Sequence, residues 1–143
     1  MIVLDTNIAS VILDPEHGDL PGIIEWQKAS GDRDFRITAV TRAEIAYGIA
    51  ILPDGVKKRR LVDAAGKFLA AAADWTLPFG TLEADAYAVI AATRRTVGRP
   101  ISVFDAQIAA TARVAGAVVA TRDTKGFAEC GVAVINPYES RAR

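Results

Sequence analysis

The sequence is poor in the side chains that most often carry out chemistry. Among 143 residues there is one cysteine, Cys130, and one histidine, His17. A lone cysteine excludes an internal disulfide and a cysteine metal cluster. A lone histidine argues against Ser-His-Asp, Cys-His and paired-histidine catalysis, and it excludes a histidine-rich zinc site. His17 itself lies in the loop-like stretch DPEHGDLPG and reads as a solvated loop residue. What remains for chemistry is carboxylates, hydroxyls, lysine, arginine, or a metal held by oxygen.

Long hydrophobic runs are also missing. Stretches such as FLAAAA and AGAVVAT fall well short of the roughly 18–20 apolar residues that span a bilayer. No basic segment precedes the first apolar run, and an acid arrives at position 5, unlike a secretory signal. The expectation is a cytoplasmic protein with no membrane association. Net charge of one sign is absent as well, at a formal value of zero, so the whole-molecule field does not mark a nucleic-acid binder. The cations are grouped, however, as KKRR at 57–60, RR at 94–95 followed by Arg99, and RAR at the C-terminus. One such group is ordinarily a solvated face; several around an acidic set suit an anionic ligand.

What is present is an alternation of strand-like and helix-like segments. The chain is the length of one ordinary domain, residues 1–143, with no repeat and no linker. IVLD is apolar until its last residue, the pattern of a strand buried on both faces. Helices are expected from about Thr6 to Leu13, over 20–30, through TRAEIAYGIAIL, from about Val56 to Ala73, through TLEADAYAVIAATRRTV, and through VFDAQIAATARVAG with Gly116 closing it. FRIT, DWTLPF, AVVAT and VAVIN supply further strands. Such alternation predicts an α/β domain with a mostly parallel sheet.

Four acids then occupy one recurring position. Asp5 ends the first strand, Glu44 lies in the first turn of the helix after FRIT, Asp105 opens the VFDAQIAATA helix, and Asp123 follows AVVAT. In a parallel sheet the C-terminal ends of the strands share an edge, so the four should converge there. Each alone has a structural explanation: Thr41-Arg-Ala-Glu44 fits a capping box, Ser102-Val-Phe-Asp105 resembles one, Asp5 suits an N-cap, and Asp123 suits a turn. Together they would repel one another and take up protons unless a cation sat among them. Mg²⁺ or Mn²⁺ is the natural occupant, since these ions take oxygen ligands and keep several waters. A site of this kind hydrolyses phosphodiesters without histidine. Thr6, Asn7 and Thr121 are placed to orient ligands or waters, and serve equally well as hydrogen-bonding turn residues.

LDTN at 4–7, TRAEIAYGI at 41–49, ISVFDAQIAATA at 101–112 and VVATRDTKGF at 118–127 together resemble the PIN-domain ribonucleases, in particular the VapC-type toxins of toxin–antitoxin pairs. INPY at 135–138 is similar to the FitB-like subgroup. The resemblance implies a three-layer α/β/α sandwich and Mg²⁺-dependent endonucleolytic cleavage of RNA. It matches Asp5, Glu44, Asp105 and Asp123 to the family's acidic quartet, all four as catalytic residues and metal ligands. It further implies a homodimer, assembled as a heterotetramer or larger with a VapB-like antitoxin. That antitoxin's C-terminal segment would cover the active-site groove while its N-terminal part binds operator DNA. The alternative within the same fold is a weakly active or silent nuclease acting in a DNA-binding regulatory complex. A phosphotransfer role with Asp5 as nucleophile fits poorly, because such sites want a second aspartate where Asn7 stands.

Overall fold

The computed structural model describes residues 1–139; the C-terminal RAR cluster lies outside them. Five strands form one all-parallel sheet: β1 (Ile2–Leu4), β2 (Phe35–Thr38), β3 (Thr76–Leu77), β4 (Val118–Ala120) and β5 (Val134–Ile135), in the order β3-β2-β1-β4-β5. β1 is the middle strand, with Ile2 opposite Phe35 on one side and Val118 on the other. A strand paired on both edges and covered on both faces can carry no polar side chain, which is why IVL is apolar throughout.

Among the described residues six α-helices cover the sheet: α1 (Thr6–Leu13), α2 (Leu20–Ala29), α3 (Ala39–Ala50), α4 (Val56–Ala71), α5 (Thr81–Thr96) and α6 (Val103–Val114). Successive residues of β1 point to opposite layers. Ile2 and Leu4 join Ile8, Val11, Ile23 and Trp26 of α1 and α2, while Val3 joins Val40, Ile90, Phe127 and the alanines of α6. Ala106, Ala109, Ala110 and Ala112 are fully buried, and their small side chains let α6 lie close against its neighbours. The three-layer α/β/α arrangement expected from the sequence is the one observed.

Two expectations are corrected. Thr41 does not begin α3. The Thr38 hydroxyl accepts the Thr41 N–H at 2.9 Å and is the N-cap, so the helix starts at Ala39 and Glu44 falls in its second turn. With the cap supplied by Thr38, the Glu44 side chain is free for other partners. Nor are the basic groups all solvated faces or anion contacts. In KKRR, Lys57 and Arg60 lie 3.7 and 3.4 Å from the Asp14 carboxylate, and Lys58 donates to the Ala50 carbonyl at 3.0 Å, so these cations serve the fold. Of the pair at 94–95, Arg95 is exposed but Arg94 is buried. Among the described residues, no helix is long and apolar enough to cross a membrane.

Candidate active site

The sheet order reverses direction between β1 and β4: the chain builds outward to β2 and β3 on one side, then to β4 and β5 on the other. In such sheets the crevice beyond the C-terminal ends of the two strands is where ligands bind. Asp5 follows β1 and Thr121 follows β4, so the crevice opens between them. A cavity of about 320 Å³ sits there, lined by Asp5, Thr6, Asn7, Ser10, Glu44, Asp105, Asp123 and Phe127. All four sequence-selected acids thus reach one cavity, three of them from helices or loops that begin at the same sheet edge.

Asp5 is held most firmly. It is 4% exposed, its Oδ1 accepts the Thr6 N–H at 2.7 Å, and its Oδ2 accepts the Thr121 hydroxyl at 2.7 Å. Its backbone carbonyl takes the N–H groups of Ile8 and Ala9, so it is also the N-cap of α1. Thr121 is fully buried and saturated: while donating to Asp5 it accepts the Asn7 side-chain amide at 3.0 Å and the Asp123 N–H at 3.0 Å. One hydroxyl therefore ties the ends of β1 and β4 together. Asn7 completes the link by accepting the Arg122 N–H at 3.3 Å.

Glu44 reaches across from α3, its Oε1 accepting the Thr6 hydroxyl at 2.7 Å. The Thr6 oxygen lies 3.4 Å from the Thr41 hydroxyl, which in turn bonds Thr38 at 3.1 Å. Since the Thr6 proton is committed to the carboxylate, a row of threonine hydroxyls leads from the β2 end to Glu44. Asp105 sits in the first turn of α6, whose N-cap Ser102 accepts the Asp105 N–H at 3.1 Å. Asp123 is the most exposed of the four, and its Oδ1 accepts the Gly126 N–H at 2.9 Å.

Crowding raises proton affinity. Burial pushes Asp5 up from 3.8 to about 6, with the charges of Asp105 and Glu44 adding to it, although the Thr121 and Thr6 hydrogen bonds oppose the rise. Glu44 is raised as well, chiefly by burial and further by Asp105, against the Thr6 bond. These are acids in want of a positive charge. Among the described residues, no three acidic, histidine or cysteine side chains draw together into a finished metal cage. A set of hard oxygen donors spaced around a cavity of this size instead fits a divalent ion that keeps several of its waters.

Ser10 and Phe127 line the cavity and were not singled out by the sequence reading. Ser10 lies one helical turn beyond Thr6 and Asn7 on α1, a spacing that the sequence does display. Phe127 had no comparable signal. His17 is exposed, as expected, but it closes a short 3₁₀ helix, Pro15–His17, rather than lying in an irregular loop, with its Nε2 3.4 Å from the Asp14 carboxylate.

The fold and the site define an α/β/α protein with an acid-lined, oxygen-donor cavity at the switch point of a parallel sheet. The PIN domain family matches residues 2–132, and the chain belongs to that family. It is 38% identical over 142 residues to the VapC ribonuclease Y4jK of Sinorhizobium fredii, covering 97% of this chain and 99% of that one. It is 37% identical over 139 residues to toxin FitB of Neisseria gonorrhoeae, covering 96% and 99%. The solved structure of FitAB bound to an IR36 DNA fragment superposes with a TM-score of 0.85 at 37% identity, over 96% of each chain. VapBC2 of Rickettsia felis, at 22% identity and a TM-score of 0.78, agrees in fold.

Proposed function

We propose that this chain is the toxin of a toxin–antitoxin pair, a metal-dependent endoribonuclease that works with Mg²⁺ and accepts Mn²⁺. The observation that carries the reading is that Asp5, Glu44, Asp105 and Asp123 line one cavity at the switch point of a PIN-domain sheet. The kinship with a VapC ribonuclease and with toxin FitB supports RNA as substrate.

Asp5, Glu44, Asp105 and Asp123 would hold a divalent ion there, and that ion would supply Lewis-acid chemistry for a phosphodiester and a water of lowered pKa. The chain's own part is to hold its carboxylates still and ionised. Asp5 is clamped on both oxygens, by the Thr6 N–H and the Thr121 hydroxyl, at the end of the central strand of the sheet. Glu44 is fixed by Thr6, and Asn7 keeps Thr121 oriented toward Asp5. Thr6, Asn7 and Thr121 therefore act by orienting the acids.

A second cavity of about 300 Å³ adjoins the first through Thr6, Ser10 and Glu44, and is lined by Leu13, Ile45, Ile49, Leu52 and Leu61 with Asp14, His17 and Lys57 at its edge. An apolar groove opening onto the acids is suited to the C-terminal segment of a VapB-like antitoxin, which would shield the site while its other half binds operator DNA. The FitAB–DNA structure favours such a DNA-bound complex. Homodimerisation suits the exposed Tyr47 and Ile51 of the α3 end, while Ile45 belongs to the core.

The deciding experiment is cleavage of a defined RNA pool by the purified chain, with and without Mg²⁺, alongside Asp5→Asn and Asp105→Asn. Both variants should lose cleavage, and expression of either should no longer arrest growth. Cleavage by either variant at the unsubstituted rate removes that residue from the site.

A further inference from the structure

Arg94 is the one buried arginine among the described residues, 5% exposed near the end of α5, and no carboxylate pairs with it. A guanidinium stays charged in any environment, so it is buried only where its N–H groups find acceptors. Arg94 finds them on the backbone. Its Nε donates to the Arg99 carbonyl at 2.7 Å, and one terminal nitrogen donates to the carbonyls of Gly126 at 2.6 Å and Ala128 at 2.7 Å, with the Cys130 Sγ at 3.9 Å. Two of these carbonyls belong to the loop that follows β4, the loop that also carries Asp123.

Gly126 is the point of contact. While its carbonyl accepts from Arg94, its N–H donates to the Asp123 Oδ1 at 2.9 Å. A Cβ at position 126 would overlap the Asp123 carboxylate, so the loop is folded directly onto that side chain. Next to it, Phe127 is 1% exposed and anchors the loop in the core while lining the acid cavity. Asp123 is the most exposed of the four acids and, unlike Asp5, is not mounted on a strand. Something else must hold it in place.

We infer that Arg94 is a positioning residue for Asp123: by fixing Gly126 and Ala128 it sets the N–H that orients the Asp123 carboxylate toward the cavity. The inference rests on the reading of Asp123 as an acid of the site. Lysine at 94 has no planar fork and cannot reproduce three bonds in these directions, so it restores only part of the function.

The test measures Mn²⁺ binding to the whole chain without RNA, by electron paramagnetic resonance of the free ion, and RNA cleavage in parallel. Arg94→Lys and Arg94→Met are made with Asp123 intact and with Asp123→Asn, and folded protein is quantified by circular dichroism. With Asp123 intact, Arg94→Met should weaken Mn²⁺ binding by roughly 3- to 10-fold and lower kcat by at least about 10-fold, leaving KM for RNA within about 2-fold. Arg94→Lys should fall between, and it carries the comparison if Arg94→Met does not fold. In the Asp123→Asn chain neither change should add more than about 2-fold, because residues acting as a unit are not additive. Equal losses in both backgrounds overturn the role of Arg94 alone. An Asp123→Asn chain that binds Mn²⁺ and cuts RNA like the unsubstituted chain overturns the reading of Asp123, and the inference with it.

Discussion

Asp5 ties the chemistry of the site to the stability of the fold in a measurable way. Its proton affinity is raised from 3.8 to about 6 by burial and by its acidic neighbours. At about 1.4 kcal/mol per unit, holding the bare carboxylate costs the metal-free native state about 3 kcal/mol at pH 7.5. The sign follows from proton counts. Between pH 3.8 and 6 the native state binds more protons than the unfolded chain, so the Asp5 contribution to stability falls as pH rises through this window and is fully unfavourable above it. Glu44, also raised, acts in the same direction. The assay is thermal unfolding in EDTA from pH 4.5 to 8, comparing the unsubstituted chain with Asp5→Asn. Asparagine keeps the acceptor for the Thr6 N–H but cannot accept the Thr121 proton, a loss of about 1–2 kcal/mol that does not vary with pH. The pH-dependent part of the difference is therefore the test. Relative to the unsubstituted chain, Asp5→Asn should gain about 2 kcal/mol between about pH 4.5 and 7.5, on the order of 4–8 °C for a domain of this size. Adding Mg²⁺ or Mn²⁺ at pH 7.5 should stabilise the unsubstituted chain and leave Asp5→Asn nearly unmoved. Parallel pH profiles for the two proteins in EDTA would refute the argument.

Thr121→Val removes one donor and two acceptor contacts from a fully buried position, and should cost about 2–4 kcal/mol in urea unfolding. Because the Thr121 bond lowers the Asp5 proton affinity, the acid limb of the pH–rate profile should also move upward in that variant. Gly126→Ala forces a Cβ into the Asp123 carboxylate and should reduce RNA cleavage at least about 10-fold, read by kcat with Mg²⁺ saturating. Asp14 behaves oppositely to Asp5: burial alone would raise it, but the Glu16 N–H, Arg60 and His17 hold it below the ordinary carboxylate range. Asp14→Asn should lose about 2 kcal/mol at pH 7, and the gap should close as pH falls below the ordinary aspartate value of 3.8 and through the lowered one, checked by denaturant titration at neutral and at acid pH.

Much of the molecule follows from the chain read in one dimension, because the signals concerned are local. The uninterrupted IVL followed by an acid predicts a central buried strand with a polar tip, and β1 with Asp5 is that object. FRIT and the helix from Thr6 to Leu13 are likewise bounded by their own residues, the latter by Asp14-Pro15. Convergence of Asp5, Glu44 and Asp123 was legible too, because a parallel sheet sends every strand end to one edge whatever the details of packing; Asp105 reaches the same cavity by a different route, since α6 follows α5 with no strand between them and only tertiary packing brings its first turn there.

Other features depend on what lies opposite in space. Thr38 and Thr41 both offer a hydroxyl for the start of α3, and only the position of the β2 end decides that Thr38 caps it and leaves Glu44 free for Thr6. Arg94 and Arg95 are identical in sequence, yet one is buried and the other exposed. The signal for Arg94 was its spacing of four from Ile90, which puts both on the inner face of α5, but nothing local shows that carbonyls from 99, 126 and 128 wait there. KKRR could not reveal that Asp14, more than forty residues earlier in the chain, takes two of its charges. The sequence by itself determined the sheet, its acidic edge and the elements that carry each acid, since these rest on periodicity and on strand direction. Tertiary structure alone decided which hydroxyls orient the acids, which cation is buried and how the Asp123 loop is held, since hydrogen bonds between residues 5 and 121 or 94 and 126 exist only once the sheet and its helices have closed around them.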